Sequence, residues 1–65
     1  MRKLASLCRR LARQHIGYYA VVKDGPHHYC VYEGINRRMD LSEVVYQASS
    51  VSNVEWFLLG LFLEV

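Results

Sequence analysis

The chain has 65 residues, 52% of them hydrophobic and 22% charged, with a formal net charge of +2 at pH 7. At that length it makes one domain at most, spanning residues 1–65. Such a domain buries only about 60% of the surface its unfolded chain exposes, which leaves little room for an enclosed catalytic pocket. Five tyrosines, two phenylalanines and one tryptophan exclude intrinsic disorder, because rings of that size supply burial that offsets chain entropy.

Residues 3 to 16 read as an amphipathic helix. At about 100° per residue, Leu4, Leu7, Cys8, Leu11, Ala12 and His15 share one face. Arg2, Arg9 and Arg13 fall opposite, flanked by Lys3 and Arg10, and Gly17 supplies a stop. All five cations precede the first acid, Asp24, an asymmetry that predicts an anionic partner. An Arg-rich, acid-free start also opens transit peptides, but the accompanying serine richness is missing. No apolar run reaches the roughly 20 residues that span a bilayer. The two cysteines are too few for a disulfide framework. Together these features predict a cytoplasmic protein with reduced thiols and no membrane partner.

Tyr18-Tyr19-Ala20-Val21-Val22 is β-branched and aromatic without helical period, and reads as a strand. Lys23-Asp24-Gly25-Pro26 is the strongest turn signal, since Asp-Gly favours positive φ and Pro26 turns the preceding residue away from helix. From His28 to Glu33 the chain alternates His28, Cys30 and Tyr32 against Tyr29, Val31 and Glu33, completing a hairpin. After a polar connection over 34–40, residues 41–48 fit two descriptions. Val44, Val45 and Tyr46 favour a third strand, whereas Asp40-x-x-Glu43 could cap a helix carrying Leu41, Val44, Val45 and Ala48 on one face. The strand is preferred because a two-stranded ribbon alone is seldom stable.

Val51 to Leu63 is the most apolar run and reads as the final helix. Ser52 and Glu55 have capping-box spacing, and Val51 can staple onto Trp56. Val54, Phe57, Leu58, Leu61 and Phe62 form a face suited to the sheet. Trp56, Leu59 and Leu63 form a second stripe, which either the first helix or another copy of the chain must cover. Gly60 inside the helix suggests close approach by a neighbour, and the stripe predicts a homodimer.

The order is α+β: an N-terminal helix, a three-stranded antiparallel meander and a C-terminal helix (αβββα), with both helices on one sheet face and the other face wet. That order resembles the double-stranded-RNA-binding domain. The family opens its last helix with a lysine-rich signature, where this chain has Ser52-Asn53-Val54-Glu55, so the resemblance implies topology and not phosphate contact.

Cys8 with His15, and His28 with Cys30, offer thiolate and imidazole ligands for zinc, but neither pair has close Cys-x-x-Cys spacing. The preferred reading makes both cysteines core residues, with no metal and no cofactor. No glycine-rich phosphate loop, nucleophile elbow or spaced carboxylate pair is present, and the chain is not expected to be an enzyme. The residues expected to meet a partner are Arg2, Arg9, Arg10, Arg13, Arg37 and Arg38. Their target is a protein, which could itself be part of a nucleoprotein complex. The same arginines, with exposed tyrosines among Tyr18, Tyr19, Tyr29, Tyr32 and Tyr46, would alternatively bind nucleic acid. In size and character the chain resembles short accessory proteins of phages and mobile elements, including anti-CRISPR inhibitors. That resemblance implies a non-catalytic inhibitor acting by occluding a partner surface.

Overall fold

The structure, a computed structural model, describes residues 2–64; the side chain of Arg2 lies outside the described residues. The stripe Leu4, Leu7, Leu11 and Ala12 folds α1 (Arg2–Arg13) against a sheet, and all four side chains are buried. The helix ends earlier than its apolar period suggests, and without glycine. His15 takes the left-handed conformation (φ 59). Its N–H then donates to the Ala12 carbonyl (3.1 Å) and that of Ile16 to the Leu11 carbonyl (2.9 Å), the two bonds of a Schellman cap. His15 therefore leaves the apolar face and is exposed. Gly17 serves a different purpose from the expected stop: a Cβ there would lie 2.5 Å from the Tyr19 ring.

The hairpin forms as its alternation predicts. β1 (Tyr18–Lys23) and β2 (Tyr29–Gly34) pair antiparallel with Val21 opposite Val31, and Asp24 and Gly25 (φ 107) make the turn. β3 (Glu43–Ala48) completes the meander, in the order β1-β2-β3, so residues 43–48 are strand. Asp40 caps no helix. Instead it belongs to a loop built on Asn36, whose Oδ1 accepts from the backbone N–H groups of Arg38 (3.0 Å) and Asp40 (3.2 Å) while its amide donates to the Asp40 carboxylate (2.7 Å). Met39 (φ 60) and Leu41 (φ 52) flank Asp40 in the left-handed region, which costs non-glycine residues energy and is held here by those bonds. A Cβ on Gly34 would meet the Met39 backbone at 2.6 Å, so the loop's close return requires glycine.

α2 (Val51–Leu63) is capped two residues before the expected position. Ser50 is the N-cap, and its Oγ accepts from the Asn53 N–H (3.3 Å). Ser52 thus falls inside the first turn, and Glu55 pairs with Lys3 of α1 (3.3 Å) instead of closing a capping box. The Val51–Trp56 staple is replaced by two exposed side chains. Lys3 meets Glu55, and Arg10 lies 5.2 Å from the Phe62 ring centre; the seven-residue step is the same on both helices, so α1 and α2 run in one direction.

Both helices cover the sheet face that carries Tyr19, Val21, Tyr29, Val31, Tyr46 and Ala48, and one cluster joins Leu4, Leu7, Leu11, Tyr29, Val31, Val54 and Leu58. Five of these side chains are 0–1% exposed. Fully burying an aliphatic side chain contributes about 1.5–3 kcal/mol, so these few carry most of the fold. Tyr46 stacks on Phe57 with ring centres 4.4 Å apart, tying β3 to α2. Among the described residues the opposite sheet face carries no helix and presents Tyr18, Ala20, Val22, Cys30, Tyr32 and Val44. No helix among the described residues is long and apolar enough to cross a membrane.

Candidate partner-binding surfaces

A concavity runs between α1 and the outer edge of β1. One stretch, about 340 Å³, is lined by Leu4, Ala5, Cys8 and Arg9 of α1 and by Tyr19, Ala20 and Val21 of β1. A second, about 190 Å³, shares Cys8, Arg9 and Tyr19 and adds Ala12, Tyr18, Arg37 and Met39. The shared residues make the two one continuous groove. It exists because Ala5, Cys8 and Ala12, spaced at i, i+3 and i+7, put short side chains on the flank of α1 that faces β1.

Two of the sequence-predicted arginines converge there. Arg9 comes from the middle of α1, and Arg37 is brought round by the Asn36 loop. Neither makes an ion pair among the described residues, and no carboxylate lines either stretch of the groove. The other predicted arginines are placed differently. Arg10 lies over Phe62, Arg38 donates to Asp40 (3.3 Å), and Arg13 is exposed at the end of α1. The Arg2 side chain lies outside the described residues. Of the arginines whose side chains are described, Arg9 and Arg37 line this groove and Arg10, Arg13 and Arg38 do not.

The tyrosines divide as strand alternation requires. Tyr29 and Tyr46 are taken up by the core cluster or packed against it, Tyr32 lies on the open sheet face, and Tyr18 and Tyr19, on opposite faces of β1, both border the groove at the strand's edge. The Tyr19 hydroxyl donates to the Glu33 carboxylate across the hairpin (2.7 Å). Burial first, then that bond and the negative charges of Glu33 and Glu64, push the phenol up to about 12. Burial also raises the Cys8 thiol, against a smaller opposing effect of Arg9, so at neutral pH the groove presents a neutral thiol.

The second stripe of α2 is split. Leu59 packs against the core cluster, whereas Trp56 is 72% and Leu63 86% exposed. Of the three only Leu59 is covered, and Trp56 and Leu63, seven residues apart, share one exposed side of the helix.

The four-ligand arrangement of Cys8, His15, His28 and Cys30 does not form. Cys8 packs toward the core beneath α1 and His15 is exposed at the cap, while His28 and Cys30 lie on the other face of the sheet. A smaller cluster takes shape at the hairpin end, where donor atoms of Asp24, His28 and Cys30 come within 4.8 Å of one another. Its imidazole is a bridge, with Nδ1 facing the Asp24 carbonyl (3.2 Å) and carboxylate (3.7 Å). Nε2 faces Gln47 (2.8 Å) and the Cys30 sulfur (3.8 Å). The imidazole thus links the turn to β2 through Cys30 and to β3 through Gln47. Both cysteines are free thiols.

Sequence reasoning missed the groove itself. The i, i+3, i+7 spacing of Ala5, Cys8 and Ala12 was the available signal, since small residues on a helix flank leave space beside it. Comparison with protein-family models, with curated proteins and with solved structures finds no match to this chain.

Proposed function

We propose that the chain is a small non-catalytic interaction protein that acts in the cytoplasm by occluding a surface of a protein partner. In kind this is the action of phage anti-defence proteins such as anti-CRISPR inhibitors. The observation that carries the reading is the convergence of Arg9 and Arg37, neither with an ion-pair partner among the described residues, on a groove that no described carboxylate lines. Unpaired guanidinium groups beside apolar walls suit an acidic, partly apolar protein surface. The raised Cys8 thiol supports a binding rather than a nucleophilic role for the groove.

Affinity capture from a host lysate treated with nuclease tests this reading, with Arg9→Gln/Arg37→Gln as the control. A protein retained by the wild type and lost with the double variant is the expected result. Equal retention by both would overturn the assignment of the groove.

The placement of Tyr18 and Tyr19 beside the same arginines favours a second reading, in which bases stack in the groove of a nucleic-acid-binding module. Phosphate-driven binding of a single-stranded oligonucleotide should weaken steeply as salt rises, and the absence of such binding at low salt removes this reading.

Exposed Trp56 and Leu63 support self-association through α2. Sedimentation should show a dimer that Trp56→Glu converts to monomer; a wild-type monomer at high micromolar concentration would exclude it.

A further inference from the structure

We infer that the groove beside β1 takes an extended acidic peptide segment of the partner as a fourth strand of the sheet. This inference rests on the reading of the chain as a protein-interaction module and names how the partner is held.

The first support is the state of the two sheet edges. Long, regular edge strands invite pairing, and folded proteins ordinarily blunt them with bulges, prolines or cover. β3 is blunted. Its register slips between Val31 and Tyr32, which face Tyr46 and Val44, so Val45 is an extra residue without a partner. Among the described residues β1 has neither bulge nor proline: all six of its residues pair with β2 in unbroken register, and its one charged side chain, Lys23, is its last residue, outside the groove lining. Its outer edge opens on the groove.

The second support is which backbone groups that edge offers. In an antiparallel pair, hydrogen-bonded and non-hydrogen-bonded residue pairs alternate. The Asp24 N–H donates to the His28 carbonyl (2.8 Å), which makes Asp24–His28 a bonded pair. Counting back along the register, Val22, Ala20 and Tyr18 also point their N–H and C=O inward to β2. Lys23, Val21 and Tyr19 therefore point theirs outward. Tyr19 and Val21 both line the groove, so it holds at least four unpartnered backbone groups in strand geometry.

Third, side chains and charge select the occupant. Alternate residues of an added strand would face α1, where Ala5, Cys8 and Ala12 leave room for apolar side chains of moderate size. The lining from Tyr18 to Val21 matches four residues of extended chain, about 13 Å at strand rise. Arg9 and Arg37 can each take a carboxylate. A second copy pairing β1 with β1 would bring Arg9, Arg37 and Lys23 of both copies along one seam, a like-charge arrangement that disfavours self-pairing. The segment is a different, acidic chain.

The test uses the full chain, isotope-labelled, and two synthetic heptapeptide pools that alternate valine or threonine with a charged residue. One pool carries glutamate and the other lysine. Backbone amide spectra and hydrogen exchange read where and how each binds. The acidic pool should bind, shifting the amides of residues 18–23 and slowing exchange at Tyr19, Val21 and Lys23, with exchange at Ala20 and Val22 unchanged. The lysine pool should not bind. N-methylating alternate amides of a bound acidic peptide should abolish binding in one register and spare it in the other. Arg9→Glu/Arg37→Glu should weaken the acidic peptide roughly tenfold or more; because the peptide series leaves the protein unaltered, it decides the matter even if that variant folds poorly. No binding by the acidic pool, equal binding of both pools, or shifts confined to Trp56 and Leu63 would overturn the inference. If the partner captured from lysate still depends on Arg9 and Arg37 while N-methylation has no effect in either register, strand addition fails and the interaction reading stands. Displacement of the acidic peptide by a single-stranded oligonucleotide of equal charge would assign the groove to nucleic acid.

Discussion

The two helices lie side by side on one sheet face and solve opposite problems. α1 is sharply two-sided: Leu4, Leu7 and Leu11 are buried, and its free side is cationic. α2 has one charged residue, Glu55, and is apolar nearly all round. It buries Val54 and Leu58 completely, keeps Leu59 against the core, and still leaves Trp56 and Leu63 in solvent. What remains outside after folding is therefore charge on α1 and apolar area on α2. Unpaired guanidinium groups on an exposed helix cost little and give reach and selectivity. A bare tryptophan is stabilised only by whatever covers it. In the proposed reading the two helices suit different neighbours, an acidic chain beside α1 and an apolar surface on α2.

The widest test of that division is stability. Leu58→Ala and Leu11→Ala both empty fully buried sites and should each cost about 2–5 kcal/mol in denaturant unfolding. Trp56→Ala, despite removing the largest side chain, should stay within about 0.5 kcal/mol for the monomer. If Trp56→Ala destabilises only at high protein concentration, the loss belongs to an assembly and the exposed side of α2 is an interface. A loss as large as that of Leu58→Ala in dilute solution would break the comparison.

The start of α2 gives a smaller and sharper contrast. Ser50→Ala removes the side chain that caps the helix and should cost about 1 kcal/mol. Ser52→Ala, two residues on and exposed inside the first turn, should change stability by no more than a few tenths. The reverse order would place the helix start at the capping-box spacing that the sequence displays.

These contrasts mark where the sequence was legible. Period carried the architecture, because Leu4, Leu7 and Leu11 at 3.6 and the alternation from His28 to Glu33 at 2.0 each admit one packing face. Caps were less legible. Ser50 and Ser52 are chemically equivalent, and Glu55 had a competing use in Lys3 of the other helix, a contact only the tertiary fold creates. Likewise Gly17 looked like a helix stop, but the Ile16 side chain packs against the core and the cap forms around His15 two residues earlier. The groove was hidden for the same reason. Arg9 and Arg37 are 28 positions apart, and the turn that unites them depends on Asn36 and on two left-handed residues that no local preference announces.

Gly60 tests the exposed side of α2 by addition rather than removal. Its expected close neighbour is not among the described residues: a Cβ built there meets nothing of them within 4 Å. Gly60→Ala should then stabilise the monomer by up to about 1 kcal/mol, the difference in helix preference. If a second copy approaches closely at this position, the same change would raise monomer stability while weakening the dimer in sedimentation. Opposite signs in the two measurements would locate the interface at Gly60, and equal signs would move it toward Trp56 and Leu63.

The smallest effect is silent at neutral pH and sits on the α1 side, in the groove. The Tyr19 phenol, raised from 10 to about 12, binds its proton more tightly in the folded chain than in the unfolded one. Its contribution to stability is therefore fully present below pH 10 and declines as pH rises from 10 toward 12. Tyrosinate absorbance should resolve one late-titrating group, and Tyr19→Phe should remove both that group and its share of the alkaline decline. Glu33→Gln removes a carboxylate charge but leaves an amide able to accept the hydroxyl, and it does not alter burial, the largest cause. It should bring Tyr19 only part of the way back. A full return to 10 in Glu33→Gln would mean that charge rather than burial governs the phenol. Tyr19 would then be open to solvent, and the groove wall it forms too loose to hold a strand in register.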